Sequence, residues 1–313
     1  MAKTPLLIIA GPTACGKSDV AVETALRLDT EVVSADSMQV YRHMDIGTAK
    51  LPPEERKGVD HHMLDVVNPD EEFSLAMYKR MAQKKCLDIA GRGKTPVVAG
   101  GTGLYIKALS ENYPLEELPF DSQCRAELEN QWQELGGGAM HKLLEQADPQ
   151  AAQRINLGDK RRIIRALEIY RLTGVAPTNI QQKARQNNPF SPLLVVLELP
   201  RRELYRRINS RAHSMLDAGL LDEYNKLLDM GFSPQCNAMQ GLGYRHCYMH
   251  VQGFWDKEEM LAMLQRDTRR YAKRQLTWFR GQKNAIWLDN STPDSTPARI
   301  CSILQGYEPR GAK

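Results

Sequence analysis

Gly11-Pro-Thr-Ala-Cys-Gly-Lys-Ser18 spaces two glycines, a lysine and a serine as G-x-x-x-x-G-K-[ST], a pattern whose chemistry is the holding of a phosphate chain. The glycines let backbone N–H groups converge on phosphate oxygens, Lys17 adds a point charge, and Ser18 offers a hydroxyl to Mg²⁺. Pro12, Thr13, Ala14 and Cys15 fill the turn, with Cys15 read as a small filler. Such a loop says phosphate chain and does not by itself say ATP.

A second chemical signature lies at Arg266 to Arg280, where Arg266, Arg269, Arg270, Lys273, Arg274 and Arg280 alternate with Tyr271, Trp278 and Phe279. Arginines can neutralise phosphates while aromatic rings stack on unpaired bases, or the rings can face a core and leave the cations solvated. The charge balance leans the same way. Residues 1–150 carry 16 Lys and Arg against 23 Asp and Glu, a net −7, whereas residues 151–313 carry 26 against 15, a net +11. A basic second half is expected to face a polyanion, nucleic acid being the common one. His61 and His62 point in different directions and lack partners at ligand spacing, so structural roles are expected for them. Six scattered cysteines without C-x-x-C spacing read as reduced thiols of a cytoplasmic protein. No apolar run nears the roughly 18 residues of a spanning helix, and the start of the chain lacks a signal-peptide pattern.

The elements that position these groups follow from periodicity. Leu6 to Ala10 predicts a strand entering the glycine-rich loop, and Asp19 to Leu28 a helix leaving it. Glu31 to Ala35 and Thr95 to Ala99 predict further strands around a helix at Ser74 to Ile89. Alternating strands and helices imply an α/β fold, a parallel sheet covered on both faces, and Asp36 then stands at a strand's carboxyl end, where such sheets place ligands. From 113 to 189 the pattern turns helical: Arg125 to Leu135, Met140 to Gln146, Pro149 to Asn156 and Asp159 to Leu172. Leu193 to Leu199 returns as a strand, followed by helices at Glu203 to Ala218, Leu220 to Met230 and Lys257 to Arg280. The expected organisation is a core of 1–112 and 190–313 with an inserted helical domain at 113–189.

Beyond the loop, Asp36-Ser-Met-Gln39 with Val40 and Tyr41, Met44 to Lys50, His62 to Asp65, Gly100 to Tyr105, Asp159 to Arg165, Gly241 to Arg245 and Arg274 to Arg280 follow one another in order. Taken together, these segments resemble the tRNA dimethylallyltransferase (isopentenyltransferase) family over nearly the whole chain. The resemblance implies a P-loop kinase-like core with an inserted helical domain. It also implies transfer of a dimethylallyl group from dimethylallyl diphosphate to N6 of the adenosine 3′ of the tRNA anticodon, with Mg²⁺ as cofactor and pyrophosphate as product.

Residue by residue, the resemblance makes Asp36 the base that takes a proton from the adenine amino group; a bound-Mg²⁺ contact through water or a helix cap remains open. Lys17 and Arg211 are expected to stabilise the leaving pyrophosphate, Arg211 sitting one turn from Arg207 in a segment that resembles the family's pyrophosphate-binding helix. Matching segments place Asp36, Ser37, Met38, Gln39, Thr102, Arg125, Arg161, Arg162, Ile163, Ile164, Arg165, Gly241, Gly243, Tyr244, Arg245, Arg269, Arg274 and Gln275 at the tRNA, whose anticodon stem-loop would offer a flipped-out base. A cytoplasmic monomer is expected. The alternatives are an ATP-dependent P-loop kinase of a small metabolite or nucleotide, and a non-catalytic RNA-binding switch.

Overall fold

Leu6, Ile8 and Ala10 point to one face of strand β1 (Thr4–Ala10), Leu7 and Ile9 to the other, and all five are fully buried. A strand apolar on both faces needs cover on both, which is the condition for a parallel sheet packed between helices. The computed structural model, which describes residues 3–114 and 118–307, meets that condition. The expected domains' few positions at 1–2, 115–117 and 308–313 lie outside the described residues.

Two compact units divide the chain, Met1–Leu109 with Phe190–Lys313, and Ser110–Pro189. The first runs β1, α1 (Lys17–Arg27), β2 (Val32–Ser34), β3 (His61–His62), α2 (Leu75–Gly91), β4 (Val97–Gly100) and α3 (Gly103–Ser110) before the second unit interrupts it. In the second come α4 (Ser122–Ala147), α5 (Pro149–Ala152), α6 (Lys160–Thr173) and α7 (Pro177–Gln186). The first unit then resumes with β5 (Phe190–Glu198), α8 (Arg201–Asp217), α9 (Leu220–Asp229), α10 (Tyr244–Val251), α11 (Lys257–Arg280), β6 (Ile286–Asp289) and α12 (Thr296–Gln305).

The six strands form one all-parallel sheet in the order β3-β2-β4-β1-β5-β6, with β1 central between β4 and β5. Chain order therefore jumps from β1 over β4 to β2. The carboxyl ends of β1, β2 and β4 open side by side at this crossing, and Ala10, Ser34 and Gly100 deliver the loops that follow.

Helix bounds follow local chemistry. Asp256 and Glu259 form a capping box that starts α11, and Asp159 caps α6, which Gly174 ends at φ 66°. Arg125 to Leu135 and Met140 to Gln146, expected as separate helices, form one element kinked at Gly136, whose φ of 75° breaks the helical path. The second unit has its own core of Leu128, Met140, Leu144, Ile163, Ile164 and Leu167. Buried Asp148 ties α5 to α7, accepting from Ala151 N, Thr178 N and Thr178 Oγ1 at 2.7 to 2.9 Å.

Glu31, buried just before β2, accepts a hydrogen bond from Arg92 and pairs with His62 Nε2 at 2.7 Å. The Arg92 guanidinium, opposed by burial and aided by His62, holds its carboxyl down at about 2. Its folded pKa lies below the unfolded one, so its stabilisation is present above pH 4.5 and is lost as pH falls toward about 2. Glu31→Gln should cost about 1–3 kcal/mol at pH 7, discounted for the half-exposed Arg92. The gap between its thermal midpoint and the wild type's should narrow as pH is lowered from about 5; a gap constant with pH would contradict this assignment.

Candidate active site

The phosphate loop turns between β1 and α1 through two left-handed residues, Ala14 at φ 65° and Gly16 at φ 86°. A side chain at Gly16 would bring its Cβ within 2.9 Å of Asn290 Nδ2, so glycine is required by space as well as by φ. Two buried amides hold the loop from opposite ends. Asn290, just past β6, donates from Nδ2 to Cys15 O at 2.8 Å. Gln275 on α11 accepts from Thr13 N at 2.9 Å and donates to Gly101 O at 2.9 Å, tying the loop to the turn after β4. Cys15 is buried, and desolvation raises its thiol pKa despite the nearby Lys17 charge. It fills space beneath Gly11 and stays protonated.

Asp36 follows β2 in a short turn built on the neighbouring strand. Gly100 passes so close that a Cβ there would lie 2.2 Å from Ala35 O. Thr102 completes the link: its N donates to Ala35 O at 3.1 Å and its Oγ1 accepts from Ser37 N at 3.0 Å. Asp36 Oδ1 accepts from Met38 N at 2.9 Å, which fixes the carboxylate's orientation. Its Oδ2 has no hydrogen bond among the described residues.

Two cavities meet at this carboxylate. A small polar one of about 50 Å³ is lined by Thr13, Lys17, Ser18, Asp36, Gln39 and Arg211. A larger one of about 280 Å³ combines Ile208, Ala212, Met215 and Leu264 with Tyr271, Arg245 and Arg274. Thr13, Asp36, Thr48, Ala49 and Arg211 border both. Arg211 is partly buried, and desolvation lowers its pKa, although a guanidinium at that position stays cationic at neutral pH. Burial first, and the charge of Asp36 second, push the Tyr271 phenol up to about 12 and keep it a hydrogen-bond donor.

The chain's relatives fit this geometry. The IPP transferase profile matches residues 39–282, and the isopentenyl transferase profile residues 4–69. The chain belongs to the IPP transferase family. A tRNA dimethylallyltransferase of Acetivibrio thermocellus is 44% identical over 303 residues, 96% of each chain. Its counterpart in Bacillus licheniformis is 43% identical over 291 residues, 93% of this chain and 92% of the relative. Among solved structures, the full-length tRNA isopentenylpyrophosphate transferase of Bacillus halodurans superimposes with a TM-score of 0.74 at 41% identity, covering 97% and 96% of the two chains. A eukaryotic dimethylallyltransferase acting on tRNA superimposes at 0.80 with 27% identity, over 99% of this chain and 81% of its own. The α/β fold with a P-loop-like core is thus that of the family.

Within this family frame, the residues singled out from sequence separate by orientation. Thr13, Lys17 and Ser18 of the loop, Asp36, Ser37 and Arg211 line the two cavities, as do Arg245 and Arg274, while Thr102 supports Ser37. Arg161 and Arg162 are exposed on α6, where solvent-facing charge can meet a polyanion. Several residues expected at the RNA face the protein's interior. Ile163 and Ile164, next on the same helix, are buried in the core of the second unit, because helical periodicity turns them away from the arginines. Arg165 binds Pro119 O at 2.9 Å and the buried Glu168 at 2.8 Å. Gln275 and Tyr244 are likewise buried with protein partners, and Gln39 directs its amide to Thr48 O and Ala49 O.

Other positions shape walls. Gly241 packs against Met38, whose Cε would be 2.4 Å from an added Cβ, and Gly243 takes φ 94° to start α10. Arg269 is held by Asn209 Oδ1 at 2.7 Å, and Arg125 lies over the ring of Phe120 at 5.5 Å. Arg207 is paired with Glu203 at 2.7 Å, which leaves Arg211 as the cation of α8 that borders both cavities. Asn290 and Glu223 carried no motif signal, whereas Tyr271 stood in the arginine-and-aromatic run of α11 without a role of its own.

Proposed function

We propose that the chain transfers the dimethylallyl group of dimethylallyl diphosphate to N6 of the adenosine 3′ of the anticodon in tRNA. The observation that supports this most is the junction of Asp36 and Arg211 between a polar phosphate cavity and a larger, partly apolar one. A diphosphate placed on the loop directs its organic end into the second cavity, past the carboxylate. As the C1–O bond breaks, both electrons leave with the diphosphate oxygen, and the N6–C1 bond forms. The N6 proton passes to Asp36, which raises the electron density of an otherwise weak aromatic amine. Lys17, Arg211 and the loop N–H groups meet the charge that grows on the leaving group. The Tyr271 phenol and the Arg274 guanidinium over it, 5.7 Å from its centroid, border the space left for the base.

The polar cavity fits Mg²⁺ as cofactor. No group of three His, Cys, Asp or Glu gathers there among the described residues, and Mg²⁺ bound through one protein hydroxyl and substrate phosphates needs none. Ser18 would hold it, and the ion would neutralise charge on the diphosphate.

Polyanion contacts are proposed for each unit by itself: the exposed Arg161 and Arg162 of α6 in the second, and Arg274 of α11 in the first, with tRNA as the polyanion. Arg274→Ala should weaken tRNA binding and lower the slope of log affinity against log salt by about 1. An unchanged slope would remove Arg274 from those contacts. We further propose a cytoplasmic location, since all six cysteines are free thiols; no helix among the described residues is long and apolar enough to cross a membrane.

The direct test is release of pyrophosphate by protein, Mg²⁺ and unmodified tRNA. Release is expected only when dimethylallyl diphosphate is added. ATP turnover without it would favour a kinase instead.

A further inference from the structure

One wall of the larger cavity is a strap, Gly47, Thr48 and Ala49, that does not belong to any helix or strand. Its anchor is a single carboxylate on α9. Glu223 Oε2 accepts from Asp45 N at 2.9 Å and Ile46 N at 2.8 Å, while Oε1 accepts from Gly47 N at 3.0 Å and from Tyr244 Oη at 2.6 Å. Three successive N–H groups thus converge on one anion supplied by the protein itself. Gly47 lies on the buried Tyr244 ring so closely that a Cβ would stand 2.5 Å from Cζ. Beyond it, Gln39 holds Thr48 O and Ala49 O at 3.3 Å, and Lys50 reaches Asp45 and Asp65 at 2.5 and 2.7 Å.

What lies behind the strap matters as much. The residues that lead into it, Asp45 and Ile46, border a separate cleft of about 360 Å³, lined also by His43, Asp222, Glu223 and Lys226. Behind Gly47 stands the ring of buried Tyr244, itself hydrogen-bonded to Glu223, so Glu223 fixes both the N–H groups of the strap and the ring it rests on. Without that carboxylate, Asp45 and Ile46 can shift toward the cleft and draw Gly47 with them, and the 280 Å³ cavity lined by Gly47 to Ala49 can grow.

We infer that Glu223 is a specificity-determining positioning residue, holding the strap so that the cavity accepts a five-carbon prenyl group and turns away longer ones. The inference rests on the prenyl transfer proposed above. In Glu223→Gln, an amide offers N–H where two backbone donors need an acceptor, and the strap loses its anchor. Pocket discrimination of this kind is worth roughly tenfold or more per added alkyl unit.

The test compares kcat/KM for dimethylallyl and geranyl diphosphate, with the same tRNA, in wild type, Glu223→Gln, Tyr244→Phe and Ile300→Ala. Ile300 is fully buried on α12, away from the strap, and controls for lost stability. Glu223→Gln should shift preference toward the geranyl donor by about tenfold or more. Tyr244→Phe, which keeps the ring and removes one donor to Glu223, should shift it less in the same direction and serves if the first variant does not fold. Ile300→Ala should keep the wild-type ratio. Preference unchanged in the strap variants of an active enzyme, or changed equally in Ile300→Ala, would overturn the role of Glu223 alone. A wild type that transfers neither group would overturn the prenyl-transfer reading together with it.

Discussion

Asp36→Ala should lower kcat by about 10²–10⁴-fold, the usual contribution of a positioned general base, while tRNA affinity stays near wild type. The geometry behind this expectation is specific. Asp36 Oδ1 is oriented by Met38 N, and the backbone beneath it is fixed by Thr102 and by the close pass of Gly100. Alanine removes the proton acceptor and its hydrogen bond from Met38 N but leaves the Thr102 and Gly100 contacts in place, so the effect falls on turnover. Asp36→Asn tests the point more narrowly, because it keeps the shape and the Met38 hydrogen bond and loses only the basicity. Single-turnover transfer measured at saturating tRNA and diphosphate separates the two effects. Activity surviving in both variants would end the general-base assignment and leave Asp36 as a Mg²⁺ contact through water or a turn cap.

For Arg211→Ala a loss of about 10²–10³-fold in kcat is expected, similar to removal of one fixed donor from a developing anion. Arg211 borders both cavities and is partly buried, so its charge acts where water screens it poorly. Arg207, one turn earlier, is already paired with Glu203, and its replacement should cost much less. Arg211→Lys should recover only part of the loss, because an ammonium cannot give the paired contacts of a guanidinium. Inhibition by free pyrophosphate supplies the check: Arg211→Ala should weaken it. If Arg211→Ala left turnover and pyrophosphate inhibition intact, the cation would belong to the protein's stability and not to the leaving group.

Local chemistry was readable in the sequence where spacing alone carries it. The phosphate loop is continuous in the chain, its glycines answer to φ and space, and its flanks are an apolar strand and an amphipathic helix. Helix α11 occupies Lys257–Arg280, the same residues its pattern predicts, because a capping box starts it and Gly281 follows it. What was not readable is direction. Gln275, Tyr244 and Gln39 lie in segments that resemble RNA-contacting ones, and a polar side chain in such a segment can face either way. Gln275 faces inward because its partner Thr13 is 262 residues distant, a pairing no local pattern encodes. Short elements were also missed. β3 is two residues long, and β6 has only Ile286–Asp289, too few for a period to show. Helices α7 and α10 are rich in polar residues and short, so their apolar faces are narrow.

The central claim is that the loop of Gly11 to Ser18 holds a leaving diphosphate while N6 of one tRNA adenosine is alkylated. Mass spectrometry of nuclease-digested tRNA, after incubation of protein with Mg²⁺, dimethylallyl diphosphate and unmodified tRNA, tests this most directly. The predicted result is one dimethylallyl group in place of one hydrogen on the adenosine 3′ of the anticodon. Unchanged tRNA, with ATP hydrolysed in a parallel reaction, would contradict it.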